Sequence, residues 1–406
     1  MKSLKTFNLS VYSSLEMFLE IAEGMEELEE FNLSWSKIKE LPLSINNLTG
    51  LSHLNLRCCV ELKSLSSSIR MKSLKTFNLS GCSSLEMFPE ISGVIEGLEE
   101  LNLCGSKIKE LPSSINKLTR LCYLVLSDCN ELKRLPRSIC MKSLKTFNLS
   151  GSSLEMFPEI SEVIEGLEKL DISWSEIQEL PLSINNLTRL RHLNLNYCKE
   201  LKCLPSSICQ LKFLVCLSLS GCIKFEVFPS IEENMEGLRE LSLNGTSIKE
   251  LSPWIERLTG LEKLDLSGSK IEELPSSINN LTGLGYLGLD DCKELKCPPS
   301  SIRMKSLKFH NLSNCSSLEK FPEILEVIEG LKELDLSGSK IRELPSSINN
   351  LTGLCHLNLN YCKELKSLPS SICQLKSLVS LSLSGCTKFE VFPSIEENME
   401  RLRVLL

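Results

Sequence analysis

One short phrase recurs along this chain: a leucine, two variable residues, an apolar residue, one variable residue and an aliphatic one. It begins at Leu4, Leu28, Leu51, Leu74, Leu98, Leu121, Leu144, Leu167, Leu190, Leu214, Leu238, Leu261, Leu284, Leu307, Leu331, Leu354 and Leu378, and a further copy starts at Leu402. Successive starts lie 23 or 24 residues apart. Apolar and variable residues alternate within the phrase, so it reads as a short strand with one face in a core. A unit this small cannot bury its apolar face alone; stacking against like neighbours supplies the core. The repeat therefore dictates a solenoid, and it leaves no stretch over for a separate catalytic domain.

Period and phrase together are the signature of a leucine-rich-repeat solenoid. The expected fold is an α/β horseshoe, with a parallel β-sheet on the concave face and irregular or 3-10 turns on the convex face. A length of 406 residues would ordinarily suggest two or three domains. Continuous repetition predicts instead one domain over residues 1–406, of about 17 coils, without evident caps at either end. After the ninth residue of a coil the chain returns through segments such as Glu110-Leu111-Pro112-Ser113-Ser114-Ile115. Pro112 removes a donor and the serines are expected to cap a single short helical turn, with Ile115 and Leu118 pointing inward. Strand should exceed helix.

Coils come in two kinds, with Cys or with Ser/Thr at the ninth position, and a larger unit of about three coils is visible: MKSLKTFNLS recurs at Met1, Met71 and Met141. Nine of the 19 cysteines hold the ninth position, where a Cys or Asn bonds turn backbone. The count is odd and no C-x-x-C occurs, so reduced thiols are the default, with Cys198 and Cys222 in consecutive coils as the pair to watch under oxidation.

The net charge is −7 and Lys and Arg are scattered, so no basic stripe exists to follow a phosphate backbone. Nucleic acid is not an expected partner. No window has the roughly 18 apolar residues of a membrane span and the first ten residues lack a secretory apolar run. The expected location is the cytoplasm, with the nucleus open to the same protein.

Signatures of catalysis are missing: no G-x-x-x-x-G-K-[ST], no G-x-S-x-G and no H-E-x-x-H. His53, His192 and His356 take the outward third position of coils six or seven apart, roughly 30 Å at one strand spacing per coil, so they share no metal. Glu100, Glu240 and Glu333 hold the same slot singly and form no acid–base pair. The fourth histidine, His310, replaces a core aromatic and is expected to be buried and neutral, with the aromatic displaced to Phe309. No catalytic residue, cofactor or metal is expected, and the chain reads as a binding protein rather than an enzyme.

Its informative positions are the outward ones: third, fifth, seventh and eighth. The fifth is often Asn or Asp (Asn8, Asn32, Asn55, Asn78, Asn102, Asp171, Asp265, Asp335). Tyr123, Tyr286 and Phe309 share the third slot with the histidines. At the eighth, Trp35, Trp174, Tyr197 and Tyr361 stand where sister coils have glycine, which suggests that this position does not demand a positive φ. Exposed rings on a concave wall are candidate contacts for a protein partner; a ring at a strand edge can equally cover the next coil. The candidate protein-binding residues are Trp35, His53, Tyr123, Trp174, His192, Tyr197, Tyr286, Phe309, His356 and Tyr361.

The alternation of Cys-type and Ser/Thr-type coils and the phrases KIRELPSSINNLT, SGCSSLEMFPEI, YCKELKSLPSSICQLKSL and NGTSIKEL resemble the leucine-rich-repeat region of plant intracellular immune receptors of the TIR, nucleotide-binding, leucine-rich-repeat class. The resemblance implies a non-catalytic module that recognises a pathogen effector or a guarded host protein and restrains the receptor's own nucleotide-binding domain. It implies no NAD cleavage or ADP binding here, since the domains responsible are not in this sequence. Bare first and last coils suggest a fragment able to self-associate through its ends. The alternative is a free-standing repeat scaffold or inhibitor in intracellular signalling.

Overall fold

The computed structural model describes residues 3–11, 14–17, 25–65, 71–91, 95, 97–296, 298–394 and 399–406. It separates into two compact units, Met1–Lys199 and Glu200–Leu406.

In the first unit nine three-residue strands, from Thr6–Asn8 to His192–Asn194, form a parallel sheet in chain order. Equivalent positions face each other: Glu30 pairs with His53 and His53 with Thr76. In the second unit nine strands, from Cys216–Ser218 to Val404–Leu405, do the same, and a short pair, Ser301–Ile302 with Glu323–Ile324, runs along the return side. The described residues contain no α-helix; their helical turns are eight five-residue 3-10 segments. Three-residue strands suffice because each inner strand of a unit is paired on both sides by a strand in equivalent register.

Burial follows the phrase. Leu98, Leu101 and Leu103, the first, fourth and sixth residues of one coil, are almost wholly buried, and Ile115 and Leu118 close the same core from the return side. Each fully buried side chain of this size contributes roughly 1.5–3 kcal/mol. The ninth residue is buried as well. A ninth-position Cys donates its S–H to the sixth-position carbonyl of the preceding coil, as Cys59 does to Leu33 at 3.2 Å and Cys362 to Leu336 at 3.2 Å. Where the preceding coil carries Ser, its hydroxyl meets the same sulfur: Ser36 Oγ to Cys59 Sγ is 3.4 Å. Ninth-position side chains thus bond coil to coil. All 18 described cysteines are free thiols.

The return serines behave differently from expectation. Pro112 is the residue that caps the turn, its carbonyl accepting the Ile115 N–H at 3.0 Å, and no side chain caps it. Ser114 instead reaches back one coil, accepting the Ile91 N–H at 2.8 Å and donating to the Glu90 carboxylate. Ser183 and Ser347 repeat this clasp with Ile160 and Glu159, and with Ile324 and Glu323. Where the carboxylate is replaced by Ser230, the clasping serine is replaced by Trp254, whose ring stacks 4.7 Å from Phe228.

His310 is buried as expected. Its Nδ1 lies 3.2 Å from the Leu287 carbonyl, and burial pushes its pKa down to about 4, so the ring is neutral.

Candidate protein-binding surface

The outward positions divide into those the backbone occupies and those it leaves free. The fifth belongs to the first group. Asn8, Asn32, Asn55, Asn78, Asn102, Asp171, Asp265 and Asp335 each accept the N–H two residues ahead, at 2.8–3.1 Å. These are Asx turns that end the strand, so the fifth position is structural where it was expected to be recognition surface.

The eighth position corrects a second expectation. Its φ is positive in every coil, 56–69° at the nine non-glycine residues and 65–78° at the eight glycines. Trp35 has φ 64°, Trp174 61°, Tyr197 59° and Tyr361 58°. Where a full coil follows, the next coil supports this turn: the eighth N–H donates to the following seventh carbonyl, as from Trp35 to Arg57 and from Trp174 to Asn196, both at 2.8 Å. The ninth N–H then turns back to the sixth carbonyl, as from Ser36 to Leu33. Both bonds together hold the left-handed conformation for glycine and non-glycine residues alike. A bulky residue held there costs roughly 1–2 kcal/mol of backbone strain.

All four eighth-position rings remain exposed by 41–62%. Trp174 and Tyr197 stack at 4.0 Å with their planes 19° apart. Tyr361 leans over the next coil, where a Cβ added to Gly385 would meet its ring at 2.6 Å. The Trp174, Tyr197 and Tyr361 rings therefore lie against neighbouring coils and still present a face outward.

At the third position, starting each strand, His53 Nδ1 bonds Thr76 Oγ1 at 2.8 Å. Tyr123, His192 and His356 stand exposed and single, while Tyr286 and Phe309 stack at 5.3 Å. The structure therefore brings the ten predicted residues together as two pairs and leaves the others spaced along the sheet. Third and eighth residues sit at opposite ends of each strand and do not merge into one cluster. Sequence reasoning passed over Trp254, although a tryptophan in a slot that sister coils fill with Ser114 and Ser183 was a visible departure.

Among the described residues no group of three or more His, Cys, Asp or Glu is placed to hold a metal, and no helix is long and apolar enough to cross a membrane. Burial raises the pKa of Cys82 to about 12 and those of Cys292 and Cys362 to about 11, which keeps these thiols protonated and unreactive. Among the described residues twelve lysine or arginine to glutamate pairs, such as Lys109 with Glu86 at 3.0 Å, are exposed; pairs of this kind hold little stability.

Stacked parallel strands, an inward leucine ladder and a free outward row define a leucine-rich-repeat solenoid, a fold that generally serves as a protein-interaction scaffold. Among solved structures the chain is similar to the leucine-rich-repeat protein LIC12759 of Leptospira interrogans, with a TM-score of 0.57 and 22% identity over 95% of this chain and 91% of that one, a likeness of fold alone. The family described as "Disease resistance protein RPS4B-like, leucine-rich repeats" matches residues 1–86 and 303–395, and two leucine-rich-repeat families match residues 233–334 and 189–211. The protein SUPPRESSOR OF npr1-1, CONSTITUTIVE 1 of Arabidopsis thaliana is 36% identical over 223 residues, 50% of this chain and 15% of its own length. TMV resistance protein N of Nicotiana glutinosa is 34% identical over 209 residues, 49% of this chain and 18% of its own. The chain is a leucine-rich-repeat protein whose coils are homologous to the repeat regions of plant disease-resistance proteins; the matched stretch is under a fifth of the length of either relative.

Proposed function

We propose that this chain is the non-catalytic recognition region of a plant intracellular immune receptor, binding a pathogen effector or a guarded host protein through its sheet face and the turn edge beside it. In a complete receptor the same array would also hold the nucleotide-binding domain. The contact residues are the eighth-position rings Trp35, Trp174, Tyr197 and Tyr361 and the third-position residues His53, Tyr123, His192, Tyr286, Phe309 and His356. The protein works in the cytoplasm or nucleus, as one repeat domain.

A single observation carries the proposal. Tryptophan and tyrosine occupy a left-handed turn at which eight sister coils use glycine, and they stay exposed there. Strained residues that a cheaper neighbour could replace mark sites kept for function, and large rings are the residue type that dominates protein contacts.

The test is capture of partners from plant tissue by the chain and by Trp174→Gly and Tyr361→Gly. Both variants should keep the fold by circular dichroism and lose captured protein. Variants that retain the whole set of captured proteins would end the proposal. Turnover of any substrate by the purified chain, lost on changing a single outward residue, would establish an enzyme instead.

A further inference from the structure

The coil from Leu284 departs from its sisters on the outward face. Its fifth position is Gly288, where a Cβ would lie 2.8 Å from Asp265 Oδ1, 2.9 Å from Ser267 Oγ and 3.0 Å from Tyr286 Cε1. Only the missing side chain lets the Tyr286 ring lie down along the strand between these groups. The flattened ring then stacks on Phe309 from the next coil, 5.3 Å between centroids and 2° between planes.

This two-ring platform already carries a cation at one end: Lys263 Nζ sits 5.4 Å from the Tyr286 centroid. Asp265 and Asp290 flank the same ring, and the Tyr286 hydroxyl has its pKa raised by burial and by these two carboxylates, an independent sign of a negative field. At the other end Phe309 pairs in register with Glu333, about 4.8 Å along the sheet. Glu333 makes no ion pair among the described residues. The nearby Lys332 is turned away, its Nζ donating to the Glu329 carbonyl at 3.4 Å.

We infer that the Tyr286–Phe309 platform is a docking subsite for an arginine side chain of a partner protein, a role that presupposes the recognition function proposed above. A guanidinium lying on Phe309 gains from the ring face and reaches Glu333 in the same plane. Lysine, a point charge without a planar face, would gain the charge term alone. An acidic segment would meet Asp265, Asp290 and Glu333.

The experiment is fluorescence anisotropy of the full chain with fluorescein-labelled hexa-arginine, hexa-lysine and hexa-glutamate at low salt. Hexa-arginine should bind most tightly and hexa-glutamate least. Phe309→Ser, the residue that Ser380 places in the equivalent slot, should weaken hexa-arginine about two- to fivefold and narrow its lead over hexa-lysine. Tyr286→Thr, which copies the sister-coil residues Thr76 and Thr146, should act in the same direction, and circular dichroism checks that both variants are folded. A lysine peptide that binds as well as the arginine peptide, or an arginine preference unchanged in both folded variants, would overturn the subsite. Either result leaves the broader recognition function to be judged by Trp174 and Tyr361, which these variants do not touch.

Discussion

If backbone strain at the eighth position is imposed by coil stacking, adding one methyl group there should measure it. Gly268 has φ 65°, and a Cβ built on it meets nothing closer than Gly245 Cα and N at 3.9 Å. Gly268→Ala therefore adds strain without a collision. The left-handed conformation costs alanine roughly 1–2 kcal/mol, and the stiffer unfolded chain returns roughly 0.4–1 kcal/mol. About 1 kcal/mol of net destabilisation remains, a shift of roughly 2–4 °C in the Tm of a unit of this size. Gly385→Ala has the same backbone, φ 78°, and its Cβ would also strike the Tyr361 ring at 2.6 Å. It should cost more than Gly268→Ala, and the excess should vanish in Tyr361→Gly/Gly385→Ala, a coupling of at least about 0.5 kcal/mol for groups in contact. Urea unfolding followed by circular dichroism measures all of these. A neutral Gly268→Ala would refute the enforced turn. Equal costs at the two glycines would refute the placement of the Tyr361 ring over its neighbour.

Three other perturbations test separate parts of the structure. His310 is neutral in the fold with a pKa of about 4, below its ordinary 6.5, so the unfolded chain binds more protons between these values; stability is full above about pH 6.5 and falls as pH drops toward 4, by on the order of 3 kcal/mol. His310→Phe, the residue at Phe77 and Phe147, should flatten that dependence in pH-dependent urea titrations. Trp254→Ser removes a stacked ring and should destabilise by roughly 1 kcal/mol or more, whereas adding Ser230→Glu should recover part of the loss by rebuilding the serine–carboxylate clasp, which a double-mutant cycle would register. Alkylation of the folded chain followed by mass spectrometry should label the exposed Cys203 well before Cys82, Cys292 or Cys362, whose thiols are buried and hard to ionise; simultaneous labelling would contradict their burial.

The strand ladder was legible because a period of two fixes which side chains turn inward, and leucines at the first, fourth and sixth positions leave no second register. His310 was legible for the same reason: a histidine in a slot otherwise held by Phe or Leu has to be buried. The left-handed turn was misread. Position eight takes Gly, Val, Cys, Asp, Asn, Trp or Tyr, and such variety ordinarily signals a permissive backbone. Eight glycines with Asp128, Asp291 and Asn314 carried the signal of a left-handed turn, and the four rings masked it; hydrogen bonds to the following coil hold that conformation even for a ring. The fifth position was misread too. Its run of Asn and Asp carried the signal of an Asx turn, yet the outward direction of its Cβ suggested a surface role.

These two misreadings explain why the proposed recognition surface is narrow. An Asn or Asp at the fifth position is committed to its own turn, and a Cys at the ninth to the preceding coil. Third-position side chains are bound by neither the Asx turn nor the cysteine ladder, and they range from Glu240 through Lys263 to Phe309 without altering strand pairing. At the eighth position the backbone is fixed whatever the side chain, so a ring there is displayed from a turn that cannot relax. Such a ring enters a complex with little freedom left to lose, which favours affinity through preorganisation. Strain of roughly 1–2 kcal/mol in the free protein and a rigid contact in the proposed complex would thus come from the same pair of hydrogen bonds.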